Sequence, residues 1–335
     1  MLYCFYYSAR RKKFRDQKEA IKQLIDPYIS QSVLMSLETE ETNLRLPGFD
    51  ELQQKCKEAY NRKVIIDELV LARKNLAGQA AEIIEQLYTS LQLQLDSEHK
   101  LHSYKWFKKA KGIQELSFMS QRRYWKDIYK LTNHSNEYVR MEAQSGIVRL
   151  VGFIGLRFLN SATYQISEWQ QVNLLYLLES LPITEFQGIE RWLHSNNKSV
   201  VIFALKLIAS FRRYEQHHLV VKCLQNPEPE IRQQAIKTLS NIYREDTASH
   251  IIERYSFETW HNQLESLKSL GKIGEEEIAP FLAGVTNDPD PQIRMEAARA
   301  LLLCTAAGRQ VLQEKAISDQ SWNTILEQLE NEMRA

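Results

Sequence analysis

The densest concentration of chemically useful side chains lies between residues 100 and 123. Lys100, Lys105, Lys108, Lys109 and Lys111 surround Trp106 and Phe107, and Arg122 and Arg123 follow. Cations interleaved with aromatics suit single-stranded nucleic acid or a phosphate group, because lysines meet phosphate charge while rings stack on bases. The same residues also fit a helix that turns Trp106 and Phe107 inward and leaves its lysines in water, and this plainer reading is preferred. A second basic run opens the chain, where Tyr3, Phe5, Tyr6 and Tyr7 precede Arg10, Arg11, Lys12, Lys13 and Arg15. Its apolar start is too short to cross a bilayer, which takes about 20 residues. Aromatics followed at once by Arg and Lys match the cytoplasmic flank of a spanning helix, whereas a secretory signal carries its charges first. The expectation is a spanning segment upstream of residue 1. Peripheral attachment is the alternative, with rings in the headgroup layer and residues 10–15 on anionic lipid. The plainest reading is a solvated basic end.

Other candidates for chemistry come up short. His99 and His102 are three apart and can share a helix face, but no Cys or carboxylate set completes a metal site. The cysteines, Cys4, Cys56, Cys223 and Cys304, form no Cys-x-x-Cys pair. A reducing compartment is therefore the default. There is no phosphate-binding Gly-rich loop and no nucleophile elbow. No catalytic residue, metal site or cofactor is assigned, and a non-enzyme is expected.

The elements that must position these groups are helices. Only 11 glycines and 8 prolines punctuate 335 residues, too few for the turns of a sandwich or barrel. With 44% apolar and 25% charged residues the chain is an ordinary globular one. The net charge of +1 makes no case for nucleic acid across the whole chain. Residues 1–130 hold 23 Lys+Arg against 17 Asp+Glu, a balance of +6, while 131–335 hold 20 against 25, a balance of −5. This asymmetry predicts two modules. In the first, Ile21, Leu24 and Ile25 mark a short helix over 16–28 that ends near Pro27, and 36–47 reads as a linker. Two stripes follow: Ile65, Ile66, Leu69, Val70 and Leu76, then Ala80, Ile83, Ile84, Leu87, Tyr88 and Leu91.

The second module repeats itself. Asn226, Pro227, Pro229, Ile231, Arg232, Ala235 and Leu239 recur as Asp288, Pro289, Pro291, Ile293, Arg294, Ala297 and Leu301, at an offset of 62. Asn136, Val139, Arg140 and Ala143 give a third copy, and fainter ones begin near Trp169, Val200 and Trp260. The leading positions 139, 169, 200, 231, 260 and 293 are 30, 31, 31, 29 and 33 apart. Such a period is the mark of a helical solenoid. The prolines close one helix and open the next, and the alanine lets neighbouring helices approach.

This pattern resembles the HEAT repeat, notably its short bacterial form, over residues 113–304. The N-terminal half, with its Trp and the run from Lys111 to Leu116, resembles membrane-tethered bacterial HEAT-repeat proteins. The resemblance implies an all-α, right-handed α-α superhelix in which the repeat arginines stitch each interhelical turn. As an alternative, Arg140, Arg232 and Arg294 form a basic ladder for an acidic partner. HEAT-fold metal hydroxylases carry His-Glu pairs, and this chain has no such dipeptide. A glycosylase-type groove would be positive, whereas the repeats are acidic; a lyase-type enzyme stays as a further alternative. The predicted organisation is a juxtamembrane stub (1–15), a helical adaptor (16–112), six repeats (113–304) and capping helices (305–335). The predicted function is a protein-binding scaffold at the cytoplasmic face of a bacterial inner membrane. Partner-facing residues would be Glu142, Gln234, Lys237, Glu296 and Arg299. The alternative is a nucleic-acid or phosphate-binding module using Lys105, Lys108, Lys109, Lys111, Arg122 and Arg123.

Overall fold

The computed structural model describes residues 2–38, 49–181, 188–305 and 307–334. Nineteen α-helices and no strand occur among the described residues. The chain divides into two compact units, Met1–Ser161 with Val172–Glu185, and Ala162–Gln171 with Phe186–Ala335.

The first unit opens with α1 (Leu2–Glu38), α2 (Phe49–Lys55), α3 (Ala59–Asn75) and α4 (Gly78–Ser90). Ile21, Ile25 and Tyr28 of α1 are buried with Val64, Ile65, Ile66, Leu69 and Val70 of α3 and with Ile84, Leu87 and Tyr88 of α4. All three sequence stripes therefore face one core. The expected stop near Pro27 is not observed: α1 continues through Pro27 to Glu38. A proline removes one helical hydrogen bond, but Ile25 and Tyr28 are anchored on either side of it, so packing holds the helix together. The expected linker at 36–47 is helical to residue 38 and otherwise lies outside the described residues. Next come α5 (Gln94–Leu101), α6 (Trp106–Phe118), α7 (Trp125–Lys130) and α8 (Glu137–Val151). The predicted joint between 112 and 113 falls inside α6, so the adaptor and the first repeat share a helix.

After α9 (Glu168–Glu179), the second unit contains α10 (Ile189–Leu193), α11 (Lys198–Ser210), α12 (His217–Cys223), α13 (Pro229–Leu239), α14 (Thr247–Tyr255), α15 (Trp260–Ile273), α16 (Ala279–Val285) and α17 (Pro291–Cys304). The last two helices are α18 (Ala307–Ser318) and α19 (Ser321–Arg334). Helices α11, α13, α15 and α17 pack each on the next. Each inward seam is a triplet four residues apart: Val200, Ala204 and Ile208; Ile231, Ala235 and Leu239; Ile293, Ala297 and Leu301, all buried. Val139, Ala143 and Ile147 repeat it in α8.

The sequence register fails at two copies. Trp169 is 66% exposed and Trp260 38% exposed. The buried triplets there are Gln170, Leu174, Leu178 and Asn262, Ser266, Leu270. The corrected leading positions, 139, 170, 200, 231, 262 and 293, are 31, 30, 31, 31 and 31 apart. Buried amides occupy the place where an apolar residue was expected. Gln171, beside Gln170, donates to Ile166 O, and Asn262 Nδ2 donates to Pro229 O and to Glu258.

The repeat arginines are structural stitches. Arg140 Nη1 donates to the carbonyls of His134 and Ser135 at 2.7 and 3.2 Å. Arg232 Nη1 does the same to Asn226 and Pro227, and Arg294 Nη1 to Asp288 and Pro289, all at 2.9 or 3.0 Å. In each repeat the guanidinium folds back onto the two turn carbonyls just before the N-cap of its own helix. Asn136, Asn197, Thr259 and Asp290 cap α8, α11, α15 and α17 with their side chains.

Candidate functional site

Helices α5 and α6 form a tight pair because Gly112 has no side chain. A Cβ there would lie 2.4 Å from Leu101 N and 2.7 Å from Ser97 O. The pair is fastened by a buried polar chain. Tyr88 Oη donates to Ser97 Oγ at 2.7 Å, Ser97 Oγ donates to Glu115, and Lys100 Nζ closes on both Glu115 oxygens at 2.7 Å. Burial, the larger cause, together with nearby carboxylates pushes the Tyr88 phenol upward, so it stays a neutral donor.

Beside this pair, α3, α5, α6 and the loop before α6 enclose a cleft of about 890 Å³. Its apolar floor includes Ala59 and Ile66, and Tyr104 and Phe107 add rings. Five lysines line it: Lys63, Lys100, Lys105, Lys108 and Lys111. Three acids also line it, and each is already matched. Glu115 holds Lys100, Asp67 holds Lys111 at 3.0 Å, and Asp96 holds Arg62 at 2.8 Å. The positive surplus of the cleft therefore resides on Lys63, Lys105 and Lys108. Both His99 and His102 line it as well, although no metal-holding group of three His, Cys, Asp or Glu exists among the described residues.

Continuous with the cleft at Tyr104 and Phe107, an aromatic surface is exposed at the starts of α6 and α8. Trp106 stacks on Tyr138 at 5.1 Å, and Phe107 meets Trp106 edge-on at 5.9 Å. Tyr104 is 97%, Tyr138 60%, Phe107 52% and Trp106 45% exposed. The inward packing expected of Trp106 and Phe107 is therefore wrong: they open α6 at its first turn, where the helix has left the core, and Ile113 and Leu116 take the buried positions instead.

The predicted site residues separate. Lys105, Lys108 and Lys111 line the cleft, and Lys109 lies close enough to His134 for its charge to lower that imidazole further after burial. Arg122 and Arg123 lie outside the cleft lining, with Arg123 held against the Tyr124 ring. Arg11, Lys12, Lys13 and Arg15 are exposed on α1, while the side chain of Arg10 lies outside the described set.

The five partner-facing candidates differ in exposure and in partners. Glu142 is half-buried and accepts from Gln114 Nε2 at 3.3 Å. Burial raises its carboxyl and outweighs the pull of Arg149, Lys74 and Lys111. Burial likewise brings Arg149 down to about 10. Gln234 is half-buried, and exposed Lys237 pairs with Glu265 at 3.3 Å. Glu296 is buried and bonded to Arg299, which reaches Glu332 of α19 at 2.7 Å. These last two are a correction: they fasten α19 onto α17 and do not face outward. Lys63 and Asp67, which complete the cleft, escaped sequence reading. They lie on α3, more than thirty residues before the Trp106 run, and nothing local couples the two segments.

No protein-family model matches the chain, and no curated protein matches it. Solved structures do. A mutant of Kap121p overlaps 90% of this chain with a TM-score of 0.54 and 12% identity, and the chain spans only 40% of the length of that protein. The fold is an α-solenoid of the HEAT/ARM type. An engineered protein aligns over 94% of this chain and 99% of its own length, with a TM-score of 0.41 and 15% identity. The CpcE–CpcF complex of phycocyanin lyase from Nostoc sp. aligns over 87% and 97%, with a TM-score of 0.27 and 12% identity. At these identities the likeness concerns fold alone.

Proposed function

We propose that the chain is a non-catalytic scaffold for a protein partner, and that the partner seats on the aromatic surface at the starts of α6 and α8. One observation carries this reading: Tyr104, Trp106, Phe107 and Tyr138 are large, adjacent and exposed. Isolated exposed apolar residues are ordinary, but contiguous aromatics mark interaction sites, and Trp and Tyr are the usual anchors of binding energy. Lys105, Lys108 and Lys109 fringe the surface, which gives it an acidic complement. Attachment at the cytoplasmic face of a bacterial membrane belongs to the same proposal. It is supported by the sequence of the basic run and by the exposure of Arg11, Lys12, Lys13 and Arg15.

A photo-crosslinking residue placed at position 104 of the full chain tests the reading in cells. The expected result is a discrete protein adduct that falls at least about tenfold in W106A. Phe257, also exposed at 73% but in the second unit, is the control position. No adduct above that control overturns the proposal. The lysine fringe favours a second reading, single-stranded nucleic acid stacked on the same rings. Its sign is an oligonucleotide adduct that weakens by orders of magnitude between about 50 and 200 mM salt.

A further inference from the structure

We propose that the cleft between α3, α5 and α6 binds a nucleoside phosphate, with the phosphates on Lys63, Lys105 and Lys108 and the base against Phe107 and Tyr104. This site adjoins the partner surface and shares Tyr104, Phe107, Lys105 and Lys108 with it, whereas Trp106 and Tyr138 are not part of the cleft lining.

Size is the first argument. At about 890 Å³ the cleft is far larger than an inorganic ion needs and matches pockets that enclose small organic molecules. Charge is the second. Removing the matched pairs of Glu115, Asp67 and Asp96 leaves three cations and no acid in the lining. The three come from three places: Lys63 from the second turn of α3, Lys105 from the N-cap position of α6, and Lys108 from the first turn of α6. Like charges gathered around one space repel one another, so the arrangement is stabilised by a multiply charged anion between them.

All three free cations are lysines, which bind phosphate as compact point charges, and no arginine lines the cleft. The end of α6 acts in the same direction. Its first turn holds no acidic residue and no side chain caps it, so its free amides add to the positive field of the lysines. The rest of the lining joins Ala59, Ile66, Tyr104 and Phe107 to the polar His99, His102 and Ser103. Ala59 and Ile66 form the floor, and the Phe107 ring is half-exposed beside them. A flat heteroaromatic base stacks on such a ring, and a phosphosugar without a base leaves that area uncovered.

Calorimetric titration of the full chain with ADP at low salt tests the site, with AMP, adenosine and inorganic phosphate as comparisons. The expected result is saturable binding in the order ADP, AMP, adenosine, with inorganic phosphate a weak competitor. Charge reversal at K63E, K105E or K108E is expected to weaken ADP by at least about tenfold each, while R122E leaves it unchanged. K63E is the decisive variant, because its position lies far in sequence from the Trp106 run. Thermal melts of each variant establish that it is folded. Absence of saturable ADP binding overturns the proposal, as does equal binding by all three reversals. Competition by inorganic phosphate as strong as that of ADP also overturns it and leaves a nonspecific basic patch. Binding confined to oligonucleotides overturns it in favour of a strand-binding surface. Loss of the partner adduct at position 104 with ADP binding intact, or the reverse, separates this proposal from the scaffold reading.

Discussion

Arg232 does at one residue what the repeat arginines do in general, and adds a buried charge. Besides closing its interhelical turn, its Nε donates to both Glu258 oxygens at 2.8 and 3.0 Å. The Glu258 side chain is fully buried, and Asn262 Nδ2 also donates to it at 2.8 Å. Removing the arginine leaves that buried carboxylate only Asn262 and the longer contact with Arg254 at 3.6 Å, whereas removing Arg294 mostly hands two partly exposed carbonyls to water. R232A is therefore expected to cost about 3–5 kcal/mol and R294A about 1 kcal/mol, read from denaturant midpoints of the full chain. Equal losses would show that the carboxylate adds nothing to the turn contacts. Glu258 explains why sequence reading reached only half of this arrangement. The arginine stands in a recurring motif, but its partner is 26 residues away in the turn between α14 and α15, with no motif of its own.

At the scale of elements, the α5–α6 pair decides whether the cleft exists. Gly112 permits the contact by omission, since an added Cβ would press on backbone of α5 that has no room to move. In an isolated helix, alanine would be better than glycine by about 1 kcal/mol. Overpacking against fixed backbone costs about 1–3 kcal/mol or more. G112A is therefore expected to lower the melting temperature and to weaken ADP binding together, because α5 and α6 carry opposite walls of one cleft. A raised melting temperature would mean that helix propensity outweighs the close approach. The sequence displayed the run from Lys111 to Leu116 but not the reason for its glycine, which is a distance between two helices.

For the whole molecule, the charge asymmetry noted in the sequence becomes a prediction about surfaces. The first 130 residues carry a surplus of +6, and the basic run on α1 is exposed for Arg11, Lys12, Lys13 and Arg15. No helix among the described residues is long and apolar enough to cross a membrane. The basic run is therefore tested for lipid binding directly. Sedimentation with vesicles containing anionic lipid is expected to carry the chain down at about 0.1 M salt. Replacing Arg10, Arg11, Lys12, Lys13 and Arg15 by glutamine should release it, since each basic residue near such a surface contributes about 1 kcal/mol. Sedimentation unchanged by the replacement would remove the run from any membrane role.

Apart from the stitching role of the repeat arginines, which the HEAT resemblance implied, the sequence by itself determined the helical class, the period of about 31 residues and the inward positions of four copies. All of these follow from side chains a fixed number of residues apart on one helix, and helical geometry converts that spacing directly into a shared face. Tertiary structure decided the rest. It placed the buried amides Gln170 and Asn262 at the leading positions in place of Trp169 and Trp260, and Asn262 is tolerated inside because Pro229 O and Glu258 satisfy it. It carried α1 through Pro27 on the strength of contacts with α3 and α4. It brought Lys63 to Lys105 and Lys108, matched three acids with three cations, and so left a charged cleft. Those outcomes depend on distances between elements far apart in the chain, and no local spacing encodes them.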